Sequence, residues 1–349
     1  MAKKQKTDGN SSLQQLKADL RAKNLRHLYL FHGPESFLKE HYLNQARKQL
    51  IDGPAETFNF HRFNGENLTM QALQDAVEAI PMMAEKSMVQ IDDVDPYKLD
   101  QENRDALIGI LSDIPDFCHV FFIFDTVEYK PDKRLKKLHG VISEQGEVVA
   151  FEKQSERELA TWIARHFAKF EKTISFDLCR YLILRTGGTM SALGSEIEKI
   201  AAYAQGSEVT RGDVDAVVEP VLDAYVFDMT DAVAAGNYDK ALVTLRTLFQ
   251  MQEEPIPLLG AIGTQLRRIY YARQLQSAGK GADSLMSLCG MGSYPAQKTM
   301  EFSRRLSDTF CKKALEACAQ TDLWLKTSYD DPQRLLELLL LQLAQEARR

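Results

Sequence analysis

The sequence predicts an α/β domain with a parallel sheet at the N-terminus, followed by a small helical domain and an all-α C-terminal domain. Three observations support this prediction. Short β-rich runs alternate with helical patterns up to Phe151, helical patterns dominate after it, and Pro220 interrupts them once more. We therefore expect domains at residues 1–151, 152–220 and 221–349, since a chain of 349 residues exceeds what one hydrophobic core usually serves.

Five runs in the first domain have the length and composition of buried strands. They lie at Leu28–His32, Thr57–His61, Met88–Asp92, Val120–Asp125 and Glu147–Phe151. Between them, apolar residues recur at helical spacing, at Leu73, Ala76, Val77 and Ile80, and again at Leu107, Ile110, Leu111 and Ile114. Because strands that alternate with helices pair in parallel, we expect a sheet covered by helices on both faces.

Ligands of such sheets bind at the carboxyl ends of the strands. The polar residues and the glycine that fall at this edge are Gly33, Asp92, Asp93 and Thr126. This edge is therefore the first place to look for a functional site.

The helical part of the chain begins with a helix-start signal at Ser155, which Glu158 follows at capping-box spacing. The segment "LRTGGTMSAL" then separates two helices, and Pro220 separates the second domain from the third. The last helix carries leucines all round its circumference, so part of it must be buried against helices of this chain or of a neighbour. These leucines are Leu335, Leu336, Leu338, Leu339, Leu340, Leu341 and Leu343.

The segment "FHGPESFLKEHYL" occupies the place of a phosphate-binding loop, directly after the first strand. On the pattern G-x-x-x-x-G-K-[ST], Gly33 and Lys39 match, but Leu38 replaces the second glycine and Glu40 replaces the Mg²⁺-binding hydroxyl. A leucine side chain obstructs close backbone approach, and a carboxylate repels phosphate. We therefore expect a vestigial loop that binds no nucleotide, with Lys39 as a solvated helix residue.

Two further parts of an ATP site are weak or missing. Asp92 and Asp93 end a strand as the Mg²⁺-binding carboxylates of P-loop ATPases do. We favour the interpretation that they are solvated residues at a strand end or charges at a helix N-terminus. The helix "MSALGSEIEKIAAYA" stands where an ATPase would present an arginine to the γ-phosphate, and it contains none. No catalytic triad or nucleophile elbow offers another centre, so we expect no catalytic residues.

Composition excludes several other classes. The formal net charge of −6 disfavours a protein that holds DNA by itself, because such proteins are usually basic. The five cysteines include no C-x-x-C pair and the seven histidines form no H-x-x-x-H pair, so we expect no metal site and no disulfide framework. We also expect no cofactor. The opening "MAKKQKTDGNSS" precedes no apolar segment, and no window is long enough to span a membrane, so we expect a cytoplasmic protein.

Several segments in this order make the chain similar to the delta-subunit family of the bacterial DNA polymerase III clamp loader, a relative of the AAA+ ATPases. They are "LYLFHGPESFLKEHYL", "AIPMMAEKSMVQID", "GGTMSALGSEIEKIAAY", "FDMTDAVAAGNYDKAL" and "TDLWLKTSYDDPQRLLELLLLQL". The resemblance covers nearly the whole chain. It implies an AAA+-like first domain, a helical lid as the second and a helical collar for oligomerisation as the third.

The resemblance also implies a function. The chain would bind and open the ring-shaped sliding clamp during DNA replication, while partner subunits hydrolyse ATP. It would be a non-hydrolysing member of the DNA-directed DNA polymerase III holoenzyme, a nucleotidyltransferase complex. Its partners would be the clamp, the loader ATPases, the delta-prime subunit and primer-template DNA inside the assembled loader, with no membrane.

The segment "AIPMMAEKS" has two interpretations. Pro81 is expected to stop a helix that ends at Ile80, which leaves Met82 and Met83 on a turn. Methionines there would usually fill the core beneath the helix. The resemblance instead implies that Pro81, Met82 and Met83 bind the clamp, since members of the family present two bulky apolar residues at this turn.

Two alternatives stay open at this point. The chain could be an active AAA+ or other P-loop ATPase with a divergent loop, which ATP binding by the isolated chain would reveal. It could also be a helical DNA-binding regulator, which would need affinity for DNA without partners.

Overall fold

The structure is a computed structural model that describes residues 8–347 and the side chains of residues 11–346. Residues 1–7 of the lysine-containing opening lie outside this range. The chain divides into two compact units, Met1–Gln154 and Ser155–Arg349. The first contains the predicted parallel-sheet domain, and the second contains both predicted helical domains. The division of this helical part at residue 221 stays a prediction.

The first unit is built on a five-stranded sheet in which every pair is parallel, as predicted. The strand order is β2-β3-β4-β1-β5. The strands are β1 (Leu28–His32), β2 (Phe60–Asn64), β3 (Ser87–Asp92), β4 (Cys118–Ile123) and β5 (Gly146–Ala150). The central strands β1, β3 and β4 are almost completely buried, as expected of strands that are covered on both faces.

Helices cover both faces of this sheet, which confirms the predicted layers. They are α1 (Asp8–Ala22), α2 (Ser36–Leu50), the short α3 (Glu56–Asn59), α4 (Met70–Glu78), α5 (Gln101–Ser112) and α6 (Lys136–Gln145). Side chains of α4, α5 and α6 form one apolar core with the sheet, while α1 and α2 form the other. The unit therefore has three layers, with the sheet in the middle.

Predicted boundaries in the first unit are wrong at the second strand, at the fourth strand and at helix α4. The fourth strand spans Cys118–Ile123 and not Val120–Asp125. The second strand begins at Phe60 and not at Thr57, because Glu56–Asn59 forms a helical turn and Phe60 pairs with Met88 of β3. Helix α4 ends at Glu78, so Ile80 lies outside it and 81% of its surface is exposed. The residue before a proline avoids helical dihedral angles, which explains why the apolar periodicity overestimated this helix.

The second unit is helical throughout its described part, apart from one isolated bridge between Thr173 and Glu208. Its helices are α7 (Glu156–Ala168), α8 (Phe176–Thr186), α9 (Met190–Tyr203), α10 (Arg211–Val217), α11 (Leu222–Ala234), α12 (Tyr238–Gln250), α13 (Pro255–Ser277), α14 (Ala282–Cys289), α15 (Ser293–Arg304), α16 (Asp308–Thr327) and α17 (Pro332–Ala347). The predicted capping box is present, with Ser155 and Glu158 bonding each other's backbone amides at the start of α7.

A buried polar network links the predicted lid and collar parts of this unit. The Arg180 guanidinium on α8 donates to Glu156 Oε1 at 2.7 Å and to Ser293 Oγ at 2.7 Å. Glu156 also accepts from the backbone amide of Ser293, at the first turn of α15. Because Arg180 is buried and its charge is matched within the network, these bonds tie α7 and α8 firmly to α15.

The final helix α17 packs its leucines mostly inside the unit. Leu335, Leu336, Leu339, Leu340 and Leu343 are buried, and most of them join one core to which α11, α12, α13, α15, α16 and α17 contribute. Leu338 and Leu341, three residues apart, remain exposed. Within residues 8–347, no helix is long and apolar enough to cross a membrane.

Candidate functional site

The loop after β1 is folded against the chain that follows β5. Gly33 has a φ of +111°, and a side chain there would bring a Cβ within 2.5 Å of the Phe151 carbonyl oxygen. The amide of Glu35 donates to that same oxygen at 3.1 Å. Burial raises the pKa of Glu35, although Lys153 and Lys39 oppose this effect. Gly33 therefore lies at the predicted place, but the loop closes on its own chain.

The expectation that Lys39 is a solvated helix residue is wrong. Only 1% of Lys39 is exposed. Its ammonium group donates to the Phe124 carbonyl oxygen and lies beside Asp125 Oδ1, both at 2.5 Å. The helical periodicity of α2 could not reveal this burial, because both partners of Lys39 follow β4, about 85 residues further along the chain.

Asp125 is the residue at this edge that sequence analysis missed. Its carboxylate accepts from Ser36 Oγ at 2.9 Å and pairs with Lys39. Its backbone amide donates to Asp93 Oδ1 at 2.8 Å. Asp125 therefore connects the loop after β1 to the residue that follows β3. Its place as the last residue of the predicted apolar strand Val120–Asp125 was the available signal.

Asp92 and Asp93, the two carboxylates at the end of β3, have hydrogen-bond partners within the chain. Asp93 Oδ1 accepts hydrogen bonds from three backbone amides, at 2.8 to 3.0 Å. The donors are the amides of Asp125, Thr126 and Val127. Burial alone would raise the pKa of Asp93, but these hydrogen bonds hold it below its usual value. The neighbouring Asp92 accepts from Arg62 Nε at 2.6 Å and from a glutamine. Within the described residues, no group of three or more potential ligands could hold a metal ion.

The turn with the two methionines lies at the opposite edge of the sheet, before β3 begins. Met82 is 58% exposed and Met83 is 85% exposed. The interpretation that these side chains fill the core is therefore wrong. Together with Ile80 and Phe58, they give this edge an exposed apolar surface, which we call the methionine turn surface (Phe58, Ile80, Met82 and Met83).

The backbone of this turn is held in an uncommon conformation. Met83 has a φ of +57°, in the left-handed region that side chains with a Cβ seldom adopt. The amide and the carbonyl of Met82 are both hydrogen-bonded to the side chain of Asn59, at 2.7 Å each. The two exposed side chains therefore stand on a fixed backbone.

Two family models match this chain. The model described as "DNA polymerase III, delta subunit" matches residues 29–150, and the model described as "DNA polymerase III delta subunit, C-terminal domain" matches residues 223–343. Together they cover most of the sequence. The chain belongs to the DNA polymerase III delta-subunit family. This family consists of clamp-loader subunits that serve DNA replication.

Individual delta subunits are similar to the chain over nearly all of its length. The DNA polymerase III subunit delta of Bacillus subtilis is 25% identical over 327 residues, which are 90% of this chain and 92% of the relative. The probable subunit delta of Aquifex aeolicus is 22% identical and covers 88% of this chain and 89% of its own length.

A solved structure confirms the predicted fold class. The DNA clamp loader delta protein of Bacillus subtilis superposes with a TM-score of 0.59 at 23% identity. The match covers 95% of this chain and 99% of that structure. The parallel-sheet domain and the helical C-terminal region are thus the fold of a delta subunit.

The burial of Lys39 gives a testable prediction about stability. Lys39→Met keeps most of the apolar stem but removes the ammonium group, so the buried Phe124 carbonyl loses its donor. Leaving such an acceptor unpaired costs about 1 to 3 kcal/mol. We expect denaturant unfolding of the sheet unit, followed by circular dichroism, to show a loss of this size.

Lys48→Met is the matched control, because Lys48 is an exposed lysine on the same helix. We expect it to change stability by less than about 0.5 kcal/mol. Equal unfolding midpoints for the two variants would contradict the structural role of Lys39.

Proposed function

We propose that this chain binds the ring-shaped sliding clamp and opens one of its interfaces during DNA replication, driven by ATP hydrolysis in partner subunits. The observation that carries the proposal is the exposure of Met82 and Met83 on a fixed turn in a member of the delta-subunit family. Exposed apolar clusters on a soluble domain are typical of binding surfaces. Pro81, Met82 and Met83 are the proposed clamp contacts.

The surface has the character of a protein-binding site and not of a catalytic centre. Two methionines can each contribute ~1.5–3 kcal/mol when a partner buries them fully. Their unbranched, polarisable chains adapt to an apolar pocket. Ile80, which sequence analysis placed at the end of a helix, is 81% exposed beside them and extends the proposed contact.

The carboxyl edge of the sheet supports a non-hydrolysing role. An ATPase needs a free lysine and free loop amides for the phosphates, and a carboxylate for Mg²⁺. Here Lys39, the Glu35 amide and Asp93 have partners within the chain. The active-ATPase alternative would require these contacts to break on nucleotide binding. We therefore propose that ATP hydrolysis occurs in neighbouring subunits.

The helical C-terminal part is the proposed site of assembly with the loader ATPases and the delta-prime subunit. The exposed leucines of α17, Leu338 and Leu341, lie on one side of that helix, since residues three apart are neighbours on a helix surface. The packed helix α16 also exposes Leu323 and Trp324. Primer-template DNA would be met only inside the assembled loader, in the cytoplasm, because a net charge of −6 gives little affinity alone.

The clamp-binding proposal predicts a strong effect of the double variant Met82→Ala with Met83→Ala. Loss of both side chains should weaken clamp binding by about 2 to 4 kcal/mol, at least ~30-fold in Kd. Thermal stability should hardly change, because both side chains are exposed. Surface plasmon resonance with the immobilised clamp measures the affinity.

Met251→Ala is the control for this experiment, since Met251 is an exposed methionine in the other unit. It should bind the clamp as the wild type does. An unchanged affinity of the double variant would refute the proposed contact.

The non-hydrolysing role predicts that the isolated chain does not bind Mg-ATP. Isothermal titration calorimetry should give no binding heat up to about 1 mM nucleotide, since the phosphate-binding groups are engaged within the chain and Leu38 obstructs the loop. A loader ATPase subunit under the same conditions provides the positive control. Micromolar binding by this chain would favour the active-ATPase alternative.

The assembly proposal predicts that Leu338→Gln with Leu341→Gln weakens co-purification with the loader ATPases. Because both side chains are exposed in the chain itself, the melting temperature and clamp affinity should stay unchanged. Leu288→Gln, at an exposed leucine of α14, is the matched control. Assembly of the double variant at the wild-type level would contradict this assignment.

A further inference from the structure

Asn59 is a buried polar residue within an exposed apolar surface. It is the last residue of α3, and only 1% of it is exposed, while its neighbour Phe58 is exposed. A buried side-chain amide is stable only if its donors and its acceptor have partners. The partners of Asn59 therefore indicate what it does.

All the hydrogen bonds of the Asn59 side chain go to backbone groups. Its Oδ1 accepts from the Met82 amide at 2.7 Å, and its Nδ2 donates to the Met82 carbonyl oxygen at 2.7 Å. The Nδ2 group also donates to the Ala55 carbonyl oxygen at 2.8 Å, one helical turn earlier. The amide thus binds both polar groups of Met82, as a neighbouring strand would, and is itself fixed by α3.

The sheet explains why residues 59 and 82 meet. Strands β2 and β3 are adjacent and parallel, with Phe60 paired to Met88. The segments that lead into these two strands consequently lie side by side at the same edge. Asn59 directly precedes β2, and the methionine turn precedes β3.

The turn needs such support because it is intrinsically unfavourable. A left-handed conformation at Met83 persists only where the surroundings impose it. Exposed methionines on an unsupported turn would sample many conformations, and a partner would have to order them at the expense of affinity. A fixed Met82 backbone removes part of that entropy loss before the partner arrives.

We propose that Asn59 is a positioning residue that holds the methionine turn in the conformation that the clamp binds. This inference rests on the clamp-binding function proposed above and adds a residue that does not itself need to touch the clamp. Asn59 acts through Met82, so its contribution should exist only while the methionine side chains are present.

The test is a double-mutant cycle in the full-length chain, with clamp affinity as the readout. Asn59→Leu keeps the approximate volume of the side chain and removes all three hydrogen bonds. We expect it to weaken clamp binding at least ~10-fold in the wild-type background. In the Met82→Ala, Met83→Ala background, the same change should alter the affinity less than ~2-fold.

Asn67→Leu is the matched control. Asn67 belongs to the same unit and supports a different turn, where its side-chain oxygen accepts a hydrogen bond from the Asn64 backbone amide at 2.7 Å. The Asn67→Leu variant should leave the clamp affinity of the folded protein unchanged, even if it lowers the stability of the fold. This separates a positioning role from a general loss of stability, which would not change the affinity of folded molecules.

Each possible outcome has a distinct meaning. If the methionine pair matters but Asn59→Leu binds the clamp normally, the positioning role is refuted and the proposed function stands. An equal loss in both backgrounds would show that Asn59 acts elsewhere, which also refutes the inference. If the methionine pair itself has no effect on clamp binding, the docking site and the role of Asn59 fall together.

A measurement on the wild-type chain covers the case in which Asn59→Leu does not fold. The Met82 amide should be protected from hydrogen exchange by at least ~10-fold relative to an unstructured peptide, although its side chain is exposed. Exchange at the unprotected rate would show that the bond to Asn59 is not maintained, which refutes the proposal.

Discussion

The arrangement of the carboxyl edge of the sheet depends on one buried ammonium group, that of Lys39. It joins helix α2 to the end of β4 through Phe124 and Asp125. The backbone amide of Asp125 in turn donates to Oδ1 of Asp93, the residue that follows β3. A charge this deeply buried is stable only if its hydrogen bonds are satisfied, so the three adjoining segments are fixed relative to one another.

The same sheet positions a very different surface at its other edge. There the strands begin, and the segments before β2 and β3 come together through hydrogen bonds between Asn59 and Met82. At both edges, polar groups are hydrogen-bonded within the chain. Large apolar side chains are exposed at the edge where the strands begin. One edge of the domain is therefore fixed by internal contacts, and the other carries the exposed apolar side chains that we propose bind the clamp.

Sequence patterns predicted the elements that local rules determine. The run Leu28–His32 is a strand at the predicted residues, and the Ser155 capping box forms because its groups are only three residues apart. The β-rich segment that begins at Thr57 misled the prediction, because register with β3 and the helical turn before it override local preference.

The site was predictable only in part, for a similar reason. The exposed methionine pair was found from the proline before it and from family resemblance. The roles of Lys39 and Asn59 depend on partners 85 and 23 residues away, which no local period encodes. Such residues become recognisable only when the strand order places their partners next to them.

The internal contacts of the first loop also have a consequence for protein engineering. Leu38→Gly would supply the second glycine of the phosphate-loop pattern, yet the contacts of Glu35, Lys39 and Asp93 with the rest of the chain would remain. Building the full phosphate-loop pattern into this chain would therefore require several substitutions at once, because the groups that it needs also hold neighbouring segments of the fold together.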